Sequence, residues 1–126
     1  MLDQPWLLIA VGGILGANAR YLVSVWAARR LGVAFPYGTL IANVSGSILL
    51  GFVVTVTPRL LAWGTDTRLF AATGFLGAYT TFSTFAFEST ALLRQRTYLR
   101  AAANLALTVL LGVLGAWLGT LAADLI

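Results

Sequence analysis

Apolar residues gather in four long blocks along this chain, approximately residues 5–28, 39–57, 69–93 and 101–123, with short polar links between them. A helix needs roughly 20 residues to cross a hydrocarbon layer of about 30 Å. Each block is close to that length or longer, so four membrane-spanning helices are expected. The links, over 29–36, 58–68 and 94–100, are too short to fold by themselves. The pattern predicts an all-α membrane protein forming one domain over residues 1–126.

The third block departs from the other three. From Thr73 to Phe85 it carries Gly74 and Gly77 together with Thr73, Thr80, Thr81, Ser83 and Thr84, where lipid would favour leucine. Glycine lowers helix propensity by about 1 kcal/mol relative to alanine, and Ser and Thr hydroxyls compete for nearby backbone groups. A break in the third helix is therefore expected around Gly77 to Thr81. Non-helical backbone at membrane depth is tolerated where protein or a water-filled cavity surrounds it. Its free carbonyls suit a cation and its free amides an anion, so the segment reads as an ion site.

Composition supports the membrane setting: with 60% hydrophobic and 10% charged residues and a mean hydropathy of +0.90, a soluble fold of 126 residues could not hide its apolar surface. The net charge of +4 comes from eight arginines and four acids. In a soluble protein that balance would suggest nucleic acid, but here the arginines follow the links, and no nucleic-acid partner is expected. Arg29, Arg30, Arg94, Arg96 and Arg100 fall on one side of the membrane, against Arg59 and Arg68 on the other. The bias places the first group in the cytoplasm and both termini outside. Met1-Leu-Asp-Gln has no basic region ahead of the first apolar block, so no cleaved signal peptide is expected.

What the chain lacks also narrows its chemistry. Without His or Cys there is no imidazole base, no thiolate nucleophile, no disulfide and no common zinc site. Asp3 and Asp124 lie at the chain ends, Asp66 in a link, and Glu88 alone within the third block, so no carboxylate pair shares a helix face. An enzyme is not expected.

Gly12 with Gly16, Gly115 with Gly119, and Asn43, Ser47 and Gly51 at successive i+4 positions read as close helix contacts. Asn43 is costly to bury and offers two N–H donors, so contact with a ligand and bonding between helices both remain open for it. Arg20, inside the first block, reads as a structural anchor whose stem can snorkel. Phe82 and Phe85 share a helix face at i, i+3, with Phe75 about two turns earlier, and hydroxyl residues interleave with the rings. Aromatic rings have positive edges that can line an anion path without a fixed positive charge.

Pro36-Tyr-Gly-Thr-Leu-Ile-Ala-Asn43, then Gly74-Phe-Leu-Gly-Ala-Tyr-Thr-Thr-Phe-Ser-Thr-Phe85 and Glu88, resemble the Fluc, or CrcB, family of fluoride channels. The likeness covers the full chain, including Gly16-Ala-Asn-Ala-Arg20. It implies an antiparallel, dual-topology homodimer in a cell inner or plasma membrane, with a broken third helix, two fluoride pores and a structural sodium ion at the dimer centre. Backbone carbonyls of Gly77 and Thr80 from both subunits correspond to the sodium ligands. Phe82 and Phe85 correspond to the pore rings, Asn43 to the pore asparagine, and Ser83 and Thr84 to the polar residues between the rings. On the fourth helix, where relatives can present a tyrosine and serines, this chain offers Asn104 and Thr108.

The function so implied is passive export of cytoplasmic fluoride down its electrochemical gradient, relieving fluoride toxicity. A proton-coupled four-helix exporter is the alternative. It would call for a titratable group near the membrane centre, and the first, second and fourth blocks hold no acid there. A non-transporting membrane assembly protein would explain the small-residue faces but leaves the hydroxyl-rich third block without a role.

Overall fold

The structure is a computed structural model that describes residues 4–60 and 64–126. Asp3 and residues 61–63 of the second link lie outside the described residues. Helix α1 (Pro5–Leu31) has proline in its first turn, where the missing N–H costs nothing. It stops at Gly32, whose φ of 85° is left-handed and whose N–H closes back on Ala28 O at 3.1 Å. Arg29 and Arg30 occupy its last turn, where the helix dipole favours cations. Helix α2 (Tyr37–Val56) starts directly after Pro36 and runs into a 3-10 turn, Thr57–Arg59.

The third block folds as two arms. The first, α3 (residues 64–79), joins Gly64–Thr67, a π-helical stretch Arg68–Leu76 and Gly77–Tyr79. The second, α4, is Phe82–Arg94. Between them, Thr80 (φ −87°, ψ 156°) and Thr81 (φ −151°, ψ 119°) have extended backbone. Helix α5 (Tyr98–Asp124) completes the chain.

Helical backbone runs past several of the expected block limits, reaching Leu31 rather than residue 28 and starting at Tyr98 rather than 101. Arginine ends an apolar run without ending a helix, because its stem lies along the apolar surface while its head reaches water. Among the described residues, three helical stretches are long and apolar enough to cross a membrane: Pro5–Leu31, Tyr37–Arg59 and Tyr98–Asp124.

Small residues face inward and large ones outward. Added side-chain carbon on Gly51 would meet the Ala116 backbone, and on Gly119 the Ile48 carbonyl, so α2 and α5 touch backbone to backbone. Gly12 and Gly16 meet Phe70, Gly74 and Phe75 in the same way, which seats α1 on α3. Both expected glycine pairs thus pack helices. The core is Ala42, Leu76 and Tyr79, with Ala19, Val23, Val53 and Phe75 against it. Leu22, Trp26, Leu110, Val113 and Trp117 are exposed, the arrangement of a protein whose solvent is lipid.

Candidate functional site

The extended residues Thr80 and Thr81 interrupt the main-chain ladder, and side chains from two other helices take up the freed groups. Asn43, on α2, accepts from the Thr81 N–H at 2.8 Å and donates through Nδ2 to the Thr81 carbonyl at 3.1 Å. Its amide imitates a strand partner and retains one N–H. On α1, Arg20 Nε donates to Ala78 O at 3.1 Å, so the expected anchor caps the C-terminal end of α3. Ser45 Oγ lies 2.6 Å from Ile41 O, to which it donates, and 2.9 Å from the Tyr79 hydroxyl. Because the serine proton is engaged on α2, the phenol is the donor of that second bond. Gly46 makes the approach possible, since side-chain carbon there would strike Thr80 Cγ2.

On the far side of the break, Thr81 caps α4. Its Oγ1 accepts from the Thr84 N–H at 3.2 Å and lies 3.1 Å from Thr84 Oγ1 and 3.2 Å from Ser83 Oγ. The hydroxyls of Ser83 and Thr84 are thus gathered at the start of α4, beside Phe82 and Phe85. Those two rings meet with centroids 5.7 Å apart at an interplanar angle of 56°. They differ in surroundings, Phe85 being 7% exposed and Phe82 79% exposed. Phe75, expected two turns before Phe82, stacks on Tyr79 one turn along α3, before the break, and packs against the core.

Gly77 requires a correction. The expected break ran from Gly77 to Thr81 and drew on glycine's conformational freedom, but Gly77 is helical (φ −61°, ψ −34°). Its N–H reaches Ala72 O, closing the π-helical stretch, and the break falls at Thr80 and Thr81, directly after Tyr79. The carbonyls of Gly77, Tyr79 and Thr80 accept none of the hydrogen bonds found around the break. They are the unspent acceptors of a helix C-terminus. Among the described residues no three His, Cys, Asp or Glu side chains converge, so main-chain oxygen is the donor chemistry on offer to a cation here.

Asn104 and Thr108 lie on α5 and reach this site through a residue that the sequence reading missed. Asn104, fully buried, donates to Ser89 Oγ at 3.0 Å, and Ser89 Oγ donates to Phe85 O at 2.7 Å. Thr108 Oγ1 stands 3.5 Å from Asn104 Oδ1. Ser89 follows Phe85 by four residues, and that spacing was the available signal.

A second omission is Thr39. Its hydroxyl donates to Glu88 Oε1 at 2.9 Å, while Glu88 Oε2 is buried without a partner among the described residues. The two line a cavity of about 310 Å³ that includes Ala34, Phe35, Gln95 and Arg100, at the arginine-rich end of the bundle. Thr39 precedes Asn43 by one helical turn on α2, and Phe85 precedes Glu88 by one turn on α4. At 1.5 Å per residue, the two steps are about 6 Å and about 4.5 Å. A file of polar and ring groups therefore leads from the cavity to the break.

A family model described as CrcB-like protein, Camphor Resistance (CrcB), matches residues 7–120. The chain is 49% identical over 113 residues to a protein of Geobacillus kaustophilus named fluoride-specific ion channel FluC 1, covering 90% of this chain and 92% of that one. Its identity to the fluoride-specific ion channel FluC of Anaeromyxobacter dehalogenans is 47% over 115 residues, 91% of each. To the protein of that name from a Roseiflexus species it is 43% identical over 113 residues, 90% of this chain and 91% of its relative.

Proposed function

This chain belongs to the CrcB-like family, and on that premise we propose that it is a passive fluoride channel, working as an antiparallel pair of copies and exporting cytoplasmic fluoride. The observation that carries the function is the match, over nine-tenths of the chain, to proteins named fluoride-specific ion channels. It is a channel and not an enzyme, in keeping with a break whose exposed chemistry is hydroxyl, amide and ring edge.

Fluoride holds its hydration shell tightly, so a path must offer replacement donors without binding the ion too firmly to release it. The cavity at the arginine-rich end collects the anion. Beyond it, the remaining Asn43 N–H, the Ser83 and Thr84 hydroxyls and the edges of Phe82 and Phe85 supply successive weak donors. Asn104 and Thr108 act behind the rings, through Ser89, by holding the Phe85 turn of α4. Phe82 is exposed in the single subunit, and a second copy laid across α3 and α4 would enclose it. The proton-coupled alternative is not favoured: Glu88 is the acid within the interior of a membrane helix among the described residues, and Thr39 is bonded to it.

The break fits a resident sodium ion, since it leaves carbonyl oxygens unspent at the negative end of a helix dipole. The Gly77 and Thr80 carbonyls of both copies would hold that ion, which supplies a positive charge between two converging helix ends. Replacing sodium with a large organic cation should then lower fluoride flux, with no sodium current accompanying normal flux.

Two experiments test this reading. Expressed in cells stripped of their own fluoride channels, the chain should restore growth in acidified fluoride medium and lower cytoplasmic fluoride; unchanged sensitivity at confirmed membrane expression contradicts it. Tags at either terminus should be labelled from both faces of the membrane. One-sided labelling in intact cells, with a permeabilised control, would reject antiparallel pairing and leave the arginine bias as the rule of insertion.

A further inference from the structure

The arginine-rich end carries a second feature, on the outer face of α1 and apart from the ion path. Leu22, Val25, Trp26, Arg29 and Arg30 line a groove of about 470 Å³. Leu22, Trp26 and Arg30 recur at i, i+4 and i+8, and Arg29 follows Val25 by four, so one helix face presents an apolar wall that ends in two guanidinium groups. Trp26 and Leu22 are exposed along that wall. Among the described residues neither arginine has an acidic partner: the ion pair found there, Arg59 with Asp124, lies at the opposite end. The arginine hydrogen bonds found come from Arg20, Arg59 and Arg100.

Bare carbonyls at the end of α1 offset part of this charge, yet two neighbouring guanidiniums at a membrane boundary still need an anion. An indole at the headgroup level and an aliphatic side chain deeper along the same face give that anion an apolar continuation. Arginine donates in a planar fork suited to phosphate oxygens. We propose that this groove binds one anionic phospholipid, its phosphodiester between Arg29 and Arg30 and an acyl chain along Trp26 and Leu22. The occupant is a lipid and not free phosphate, because the apolar wall would otherwise be unused. The inference depends on the membrane setting and is independent of what the pore conducts.

Native mass spectrometry of the intact protein, released from micelles holding equal amounts of phosphatidylglycerol and phosphatidylcholine, tests it. The native chain should retain phosphatidylglycerol in preference. Each guanidinium near an anionic surface strengthens attraction about fivefold, so the Arg29→Gln, Arg30→Gln double variant should lose that preference by roughly twenty-five-fold. Arg94→Gln, at the same end but outside the groove, should keep it, and Trp26→Ala should weaken retention of both lipids. Size-exclusion chromatography after detergent extraction checks that each variant is folded. Equal retention of the two lipids by the native chain would overturn the proposal. So would unchanged preference in the double variant, an equal loss in Arg94→Gln, or full displacement of the lipid by inorganic phosphate.

Discussion

Two seams meet on helix α2, and they are built from opposite materials. Along its outer half, α2 is pressed against α5 through Gly51, Gly115 and Gly119, with main chain against main chain and no polar group spent. Along its inner half it faces the break in the third block, where Asn43, Ser45 and Thr39 each bond to a group on the other side. The glycine seam has one way to fit. The polar seam leaves over an Asn43 N–H, three carbonyls and several hydroxyls, and these leftover groups are what an ion can use. Rigidity on one side of α2 is what lets the other side hold unspent donors in place.

The largest effect should come from breaking the rigid seam. Gly119→Leu would drive a side chain into the Ile48 carbonyl, a backbone atom that cannot turn aside. Overpacking typically costs 1–3 kcal/mol, and more against main chain. No folded, extractable protein should be recovered, as read by size-exclusion chromatography after detergent extraction. A well-folded variant would show that α2 and α5 have slack.

Next comes the polar seam. Asn43→Ala leaves both the N–H and the C=O of the half-buried Thr81 without their partner, at about 1 kcal/mol for each, so fluoride flux should fall by about tenfold. The protein should still assemble, since the glycine seam is untouched. Flux at the native rate would remove Asn43 from the site.

Smaller effects separate the rings. An aromatic contact is worth about 0.5–1.5 kcal/mol beyond its area, so Phe85→Ile should reduce flux roughly two- to tenfold with assembly intact. Phe82→Ile should do the same only where a second copy encloses that exposed ring. A Phe82→Ile variant with native flux in a verified dimer would place the ring in lipid instead.

The smallest change is expected at Gly77. Its backbone is helical, and added carbon would meet only Ala72 O at 3.8 Å. Gly77→Ala should hold flux within about twofold, because alanine favours the helix already present there and meets no clash. A large loss would reveal close approach by a partner copy at that position.

Much of this was legible in the residues. Four apolar blocks, the small-residue spacings and the hydroxyl-rich stretch each follow from local composition, and the motifs around Asn43 and Phe82 pointed to fluoride before any geometry was known. The partners were not legible. That Asn43 would bind Thr81 and Tyr79 would bind Ser45 depends on how α2 crosses the third block, which no local spacing encodes. Gly77 drew attention because glycine signals a bend, yet the chain bends at two threonines: Asn43 supplies the bonds that make extended backbone tolerable there, and Thr81 caps the next helix itself. Thr39 and Ser89 were overlooked because a lone hydroxyl in a membrane helix usually bonds back to its own turn, as Ser47 and Thr55 do here.

Fluoride efflux from liposomes holding the purified protein, followed with a fluoride electrode, tests the central claim most directly. A passive channel moves net charge, so efflux should be slow until a potassium ionophore relieves the voltage and rapid afterwards, at matched pH on both sides. Efflux that ignores the ionophore and is driven by a proton gradient at zero voltage would contradict the account and favour a coupled exporter.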